Sequence, residues 1–164
     1  MPQDRKTAIG QELVDAQQQL LNVLDQIGSD EWSLASPNEG WTVLNLLTHL
    51  TTSESGFVPT LQRMAAGQGG VPADFDPNRW NAGQIRRRGE VDPGQLRAEL
   101  ENAHAKMLDL LAGVDEAALD HRGQLSSGVE GTTEDNFRLV ASHKRAHTDD
   151  IRAALATHGD HLTN

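Results

Sequence analysis

Four stretches of the chain place apolar residues three and four positions apart, and that spacing admits one kind of element. A helix turns once in 3.6 residues, so such positions fall on one face. In the first stretch the face reads Ile9, Leu13, Ala16, Leu20, Leu24 and Ile27, with Gly28 as its stop and Ser29 or Asp30 opening a turn. In the second, Thr42 is the N-cap and Val43, Leu46, Leu47 and Leu50 form the face, continued by Phe57, while Pro59 marks a kink or a break. The third opens with Asp92 as N-cap and Pro93 at the first helical position, carries Leu96, Leu100, Ala103, Met107, Leu110 and Leu111, and ends near Gly113. The fourth is capped by Thr132 or Thr133 and has Glu134 and Asp135 in its first turn, where acids suit the helix dipole. Its inner face reads Asn136, Val140, His143, His147, Ile151 and Ala154.

No strand pattern persists, and no internal repeat or low-complexity tract appears. The segment "AAGQGGVPADFDPNRWNAGQIRRRGEVD" is rich in Gly and Pro at first and then allows a short helix from about Trp80 to Arg87. A second connection, "DEAALDHRGQLSSGVEG", leads into the last helix. These features predict an all-α fold: a four-helix bundle with a long connection between helices 2 and 3, forming one domain over residues 1–164.

Composition narrows what such a bundle can do. Aromatic residues are 4% of the chain, so the core is aliphatic, with Trp32 and Trp41 as anchors near the first loop. The formal net charge of −10 argues against nucleic acid and against anionic membrane surfaces, both of which would repel it. There is no apolar run long enough for a membrane span and no signal-peptide pattern in "MPQDRKTAIG", so a cytoplasmic location is expected. Cysteine is absent, which removes disulfides, thiolate ligands and any protein thiol nucleophile.

Histidine carries the functional signal. His143 and His147 stand four apart, in register with Val140 and Ile151, so both point toward the core. Two imidazoles one turn apart can hold one metal ion from the same side. His49, three after Leu46 and one before Leu50, lies on or beside the buried face of the second helix. Alone it would read as a core histidine with a hydrogen bond; with the inward pair on another helix, it can complete a site inside the bundle. His104, His121, His158 and His161 stay unassigned, the last two near a frayed C-terminus.

The segments "WTVLNLLTHL", "DPNRWNA" and "TTEDNFRLVASHKRAHTDDI" together resemble the DinB-like superfamily, over nearly the whole chain to about residue 157. The resemblance implies a four-helix bundle, often dimeric, in which His49, His143 and His147 bind a divalent metal. It further implies, for some members, thiol-dependent S-transfer; other members have no assigned reaction. Glu54 is placed like a common family acid that orients a ligand or acts as a base, although a solvated helix acid fits equally well. Trp80 and Asn81 match the family's "WNA", with Trp80 closing a pocket or sitting at a dimer contact. The chain departs from the family where Gln often follows the second His of the pair by three: here that position is Asp150, either a hydrogen-bond acceptor for a ligand imidazole or a fourth ligand. Asp149, next to it, is expected in solvent.

The chemistry follows from the donor set. Three neutral imidazoles leave a metal its charge and at least one open position, the arrangement of catalytic rather than structural sites. Zinc so held lowers the pKa of water toward ~7 and would equally ionise a thiol, but nickel suits imidazole as well, so ligand type leaves zinc or nickel open. Without a cysteine, any thiol is an external low-molecular-weight one. Arg86, Arg87 and Arg88 either hold the carboxylate of such a cofactor or form a surface run paired with nearby acids. The expected function is a divalent-metal-dependent enzyme acting on a small molecule, foremost a thiol-dependent S-transferase. The alternatives are a metal-dependent hydrolase and a non-catalytic ligand-binding bundle.

Overall fold

The computed structural model describes residues 4–125 and 129–162, with the side chains of 160–162 left aside, so the imidazole of His161 lies outside what is described. Helix α1 spans Arg5–Leu24, α2 Val43–Ala65, α3 Pro77–Arg88, α4 Pro93–Gly113 and α5 Thr133–Leu162. A 3₁₀ turn at Glu116–Asp120 and two antiparallel two-residue strands, β1 (Arg122–Gly123) and β2 (Gly131–Thr132), fill the connection between α4 and α5.

Local chemistry starts α2, α4 and α5 where the sequence predicts, whereas α3 opens at Pro77, three residues before Trp80, because the Asp76 side chain accepts from the backbone of Asn78 and Arg79. The Thr42 hydroxyl accepts from the backbone of Asn45, whose side chain accepts from the Thr42 backbone in return, a closed capping box. Thr132, rather than Thr133, caps α5 in the same reciprocal way with Asp135. Asp92 caps α4 ahead of Pro93. Pro59 neither breaks nor ends α2, which runs on to Ala65. Helix α1 stops at Leu24, four residues before Gly28, because the backbone tightens there: Gln26 and Ile27 bond back three residues to Val23 and Leu24. Ile27 still packs on the core, from a turn instead of a helix. Helix α5 stays helical past His158 instead of fraying.

Helix α1 packs against α5 and α4, and α2 packs against α4 and α5. Consecutive helices α1 and α2 therefore occupy opposite corners of a four-helix bundle, and so do α4 and α5. This makes α2 and α5, the two helices that carry the candidate histidines, direct neighbours. Helix α3 lies outside the four and packs on α2, with no residue of its own fully buried.

The core is two apolar clusters. One gathers Ile9, Leu13, Leu61, Met64, Met107 and Phe137, the other Leu20, Leu46, Leu47, Leu96, Leu100 and Ile151. On each of the four bundle helices the two sets are separated along the chain by polar residues: Gln17 on α1, Glu54 on α2 with His49 just before Leu50, His104 on α4, and His143, Lys144 and His147 on α5. The bundle thus carries a polar layer across its middle. Among the described residues no helix is long and apolar enough to cross a membrane.

Candidate metal centre

His49, His143 and His147 meet in this layer. Their three ring centroids are 4.7–4.9 Å apart, in edge-to-face pairs. One ligand nitrogen from each lies within 4.8 Å of the others, and Nε2 of His49 is 2.9 Å from Nε2 of His143. Two of the rings are held from behind. Ser53 Oγ lies 3.3 Å from Nδ1 of His49, one turn along α2. Asp150 Oδ2 lies 3.0 Å from Nδ1 of His147. An ionised carboxylate only accepts, so Nδ1 of His147 donates and its Nε2 keeps a free lone pair. The same Asp150 oxygen accepts from Asn38 Nδ2 at 2.9 Å, which ties the α1–α2 connection to α5.

Burial keeps His49 and His143 neutral. It pushes the His49 imidazole down to about 4, helped by the charge of His147 and opposed by the Asn81 side chain. It pushes His143 down to about 3, with His49 and His147 adding to the effect. Neutral imidazole is the form that binds metal, so His49 and His143 can take a divalent ion without shedding protons at pH 7.

Beside the triad runs a second arrangement, with one residue from each bundle helix. Lys144 Nζ lies 2.5 Å from Glu54 Oε2 and donates to Gln17 Oε1 at 2.7 Å, and His104 Nδ1 lies 3.5 Å from Glu54 Oε1. Lys144 and Glu54 are each 2% exposed. Burial pushes the Lys144 ammonium down, against the pull of Glu54. Burial acts to raise the Glu54 carboxyl, but the hydrogen bond from His104 and the Lys144 charge outweigh it and hold Glu54 below the usual carboxylate range.

The triad opens into a cavity of about 600 Å³, within the range that takes small organic ligands. Trp41, Phe57, Phe75 and Trp80 line it, with the Trp41 ring 5.0 Å from His49 and the Phe57 ring 5.7 Å from His143. Trp80 reaches α2 at Gly56, where an added Cβ would meet the indole at 3.6 Å. At Gly70, by contrast, a Cβ would fall 2.0 Å from the Gln124 carbonyl oxygen. Only glycine lets the start of the α2–α4 connection lie against the strands, where Val71 donates to that same carbonyl at 2.8 Å.

A family model described as the DinB superfamily matches residues 12–151. The chain belongs to the DinB superfamily. Among solved structures it is similar to YfiT from Bacillus subtilis, described as a probable metal-dependent hydrolase with an unusual four-helix bundle topology, at a TM-score of 0.79 and 17% identity over 97% of this chain and 90% of that one. It is also similar to a mycothiol-dependent maleylpyruvate isomerase, at a TM-score of 0.76 and 16% identity over 92% of this chain. The match spans 61% of the isomerase's own length. At such identities the likeness is one of fold. A comparison with curated protein sequences finds no match.

Within this DinB fold the expected residues part company. The three histidines come together and Trp80 lines the cavity. Asp150 stands behind His147, outside the group of three histidines that could hold a metal ion. Glu54 does not line the cavity: it is neither a solvated acid nor a base facing the pocket but the buried partner of Lys144 and His104. Arg86 and Arg87 are exposed and absent from the cavity wall, because α3 turns Trp80 and Asn81 to the pocket and its last turn to solvent. Arg88 pairs with Glu99 on α4. Lys144 was legible as a lysine in the stripe Ala141, Lys144, Thr148, Ile151, and His104 sits beside Ala103 on the α4 stripe. Asn38 lies in a connection with no pattern that marks it.

Proposed function

We propose that this DinB protein is a divalent-metal-dependent enzyme in which His49, His143 and His147 are the ligands, and that it is foremost a thiol-dependent S-transferase. The observation that carries the reading is the convergence of three imidazoles, drawn from two helices, on the wall of an open cavity. The ion, when bound, supplies Lewis acidity at a position left open to the cavity, enough to ionise a thiol or a water near neutral pH. The chain's own part is to fix that position. Ser53 and Asp150 hold the rings of His49 and His147 from their Nδ1 sides, so their Nε2 atoms face inward. Leu46 and Leu50 on α2 and Ile151 on α5, each within four residues of a histidine of the triad, belong to one buried apolar cluster. Trp41 and Phe57 flank the triad and leave the cavity as the way in. With no cysteine in the chain, the thiol arrives as a small molecule.

The likeness to YfiT, a probable metal-dependent hydrolase, favours a second reading, in which water takes the place of the thiol. One experiment separates them. Untagged protein is analysed for metal content and then assayed on activated esters and on small electrophiles, with and without low-molecular-weight thiols. Turnover that requires both metal and thiol supports the transferase. Thiol-independent hydrolysis supports the second reading, and absence of bound zinc or nickel sinks both.

A further inference from the structure

The cavity beside the triad has a property that the metal reading does not require. The chain has fourteen Lys and Arg residues, all of them among the described residues, and none lines the cavity. The cations nearest in sequence to its walls are engaged elsewhere or exposed. Arg63 donates to the Gly70 carbonyl, Lys144 is held by Glu54 and Gln17, and Arg79, Arg86 and Arg87 are exposed on α3. The polar wall consists of uncharged groups, chiefly Asn38, Asn78, Asn81 and Thr60, and one acid, Glu39. The rest is aromatic and aliphatic, with Phe75 and Trp80 a tilted pair at 6.5 Å.

Such a pocket sorts ligands by charge. A bound metal can balance one anionic donor atom. A second negative group would give up its hydration and find no counter-charge, only Glu39 to repel it. A flat uncharged ring loses nothing on entering and gains aromatic contact, and the asparagine amides satisfy neutral polar groups on its rim. We propose that the cavity takes an uncharged, ring-bearing organic molecule and excludes carboxylate-bearing ones, so that both the substrate and any thiol partner carry no negative group beyond the donor atom. This deepens the function proposed above, but the selection by charge is a property of the wall and does not need the ion.

The test uses two probes that differ by one carboxylate: phenylmethanethiol and 4-(mercaptomethyl)benzoate. Each is titrated against the purified protein by tryptophan fluorescence, since Trp41 and Trp80 line the cavity. The titrations are run with the metal loaded and again after its removal by chelator. The expected result is binding of the uncharged thiol about 10-fold or more tighter than the carboxylate in both states, the cost of burying an unpaired charge. Asn78→Arg, which puts a cation on the wall at an exposed position, should narrow the ratio by strengthening the carboxylate alone. Equal or tighter binding of the carboxylate by the unaltered protein overturns the proposal, and so does the absence of binding by either probe. A protein that takes up no metal at all would sink the metal reading, while the ratio measured without metal still decides this one.

Discussion

Lys144 Nζ lies 2.5 Å from Glu54 Oε2, inside the bundle and one residue along α5 from His143. Both side chains are out of water, so each owes its charge to the other. Removing one partner leaves a buried ion without compensation, which typically costs about 3–5 kcal/mol, whereas replacing both by apolar groups of similar volume is often neutral. Lys144→Met alone should therefore destabilise the fold severely, and the double variant Lys144→Met with Glu54→Leu should recover most of the loss. Urea unfolding of the three proteins checks this. A single variant as stable as the parent would show that the pair does not hold α2 to α5.

Asp150→Asn keeps an oxygen that can accept from His147, and Asp150→Ala does not. The first should weaken metal affinity little. The second should weaken it about 10–100-fold, the usual effect of removing a group that orients a metal-bound imidazole. Competition with a chromogenic chelator measures both. Loss of binding in Asp150→Asn would mean that the carboxylate is itself a ligand.

His147→Ala should abolish metal binding while the helix persists, since alanine is the best helix former. Circular dichroism should be unchanged at low temperature. The melting temperature should no longer rise when zinc or nickel is added, as it should for the parent protein by mass action.

Acid should unfold the metal-free protein early. Burial holds His49 down to about 4 and His143 to about 3, against 6.5 for an unperturbed histidine. Between those values the unfolded chain binds protons that the folded protein refuses. Stability therefore falls as pH drops below about 6.5, by up to about 1.4 kcal/mol per pH unit for each histidine, and the fall ends for each near its folded value. Unfolding free energies measured from pH 8 to pH 4 without metal give the slope. A flat profile through this window would mean that the imidazoles are not buried as a neutral cluster.

Much of this protein was legible along the chain. The four apolar stripes, the caps at Thr42, Asp92 and one of the pair Thr132 and Thr133, and the inward register of His143 and His147 are local facts, set by the period of the helix and by side chains reaching backbone groups three residues away. Which helix faces which is not local. Opposite corners for α1 and α2 bring α2 beside α5, and that pairing alone converts His49 from a core histidine into the third corner of a triad. The same packing buries Glu54 against Lys144 and His104, where the family resemblance offered it as an acid that orients a ligand or acts as a base and the helix pattern as a solvated one. It also leaves Arg86 and Arg87 in solvent, because the face that a short polar helix turns inward depends on what it covers, here Gly56 on α2 under Trp80. Periodicity determined the elements and their buried faces. Only the packed bundle decided the partners, because a buried charge or ligand answers to residues distant in sequence that a one-dimensional pattern does not pair.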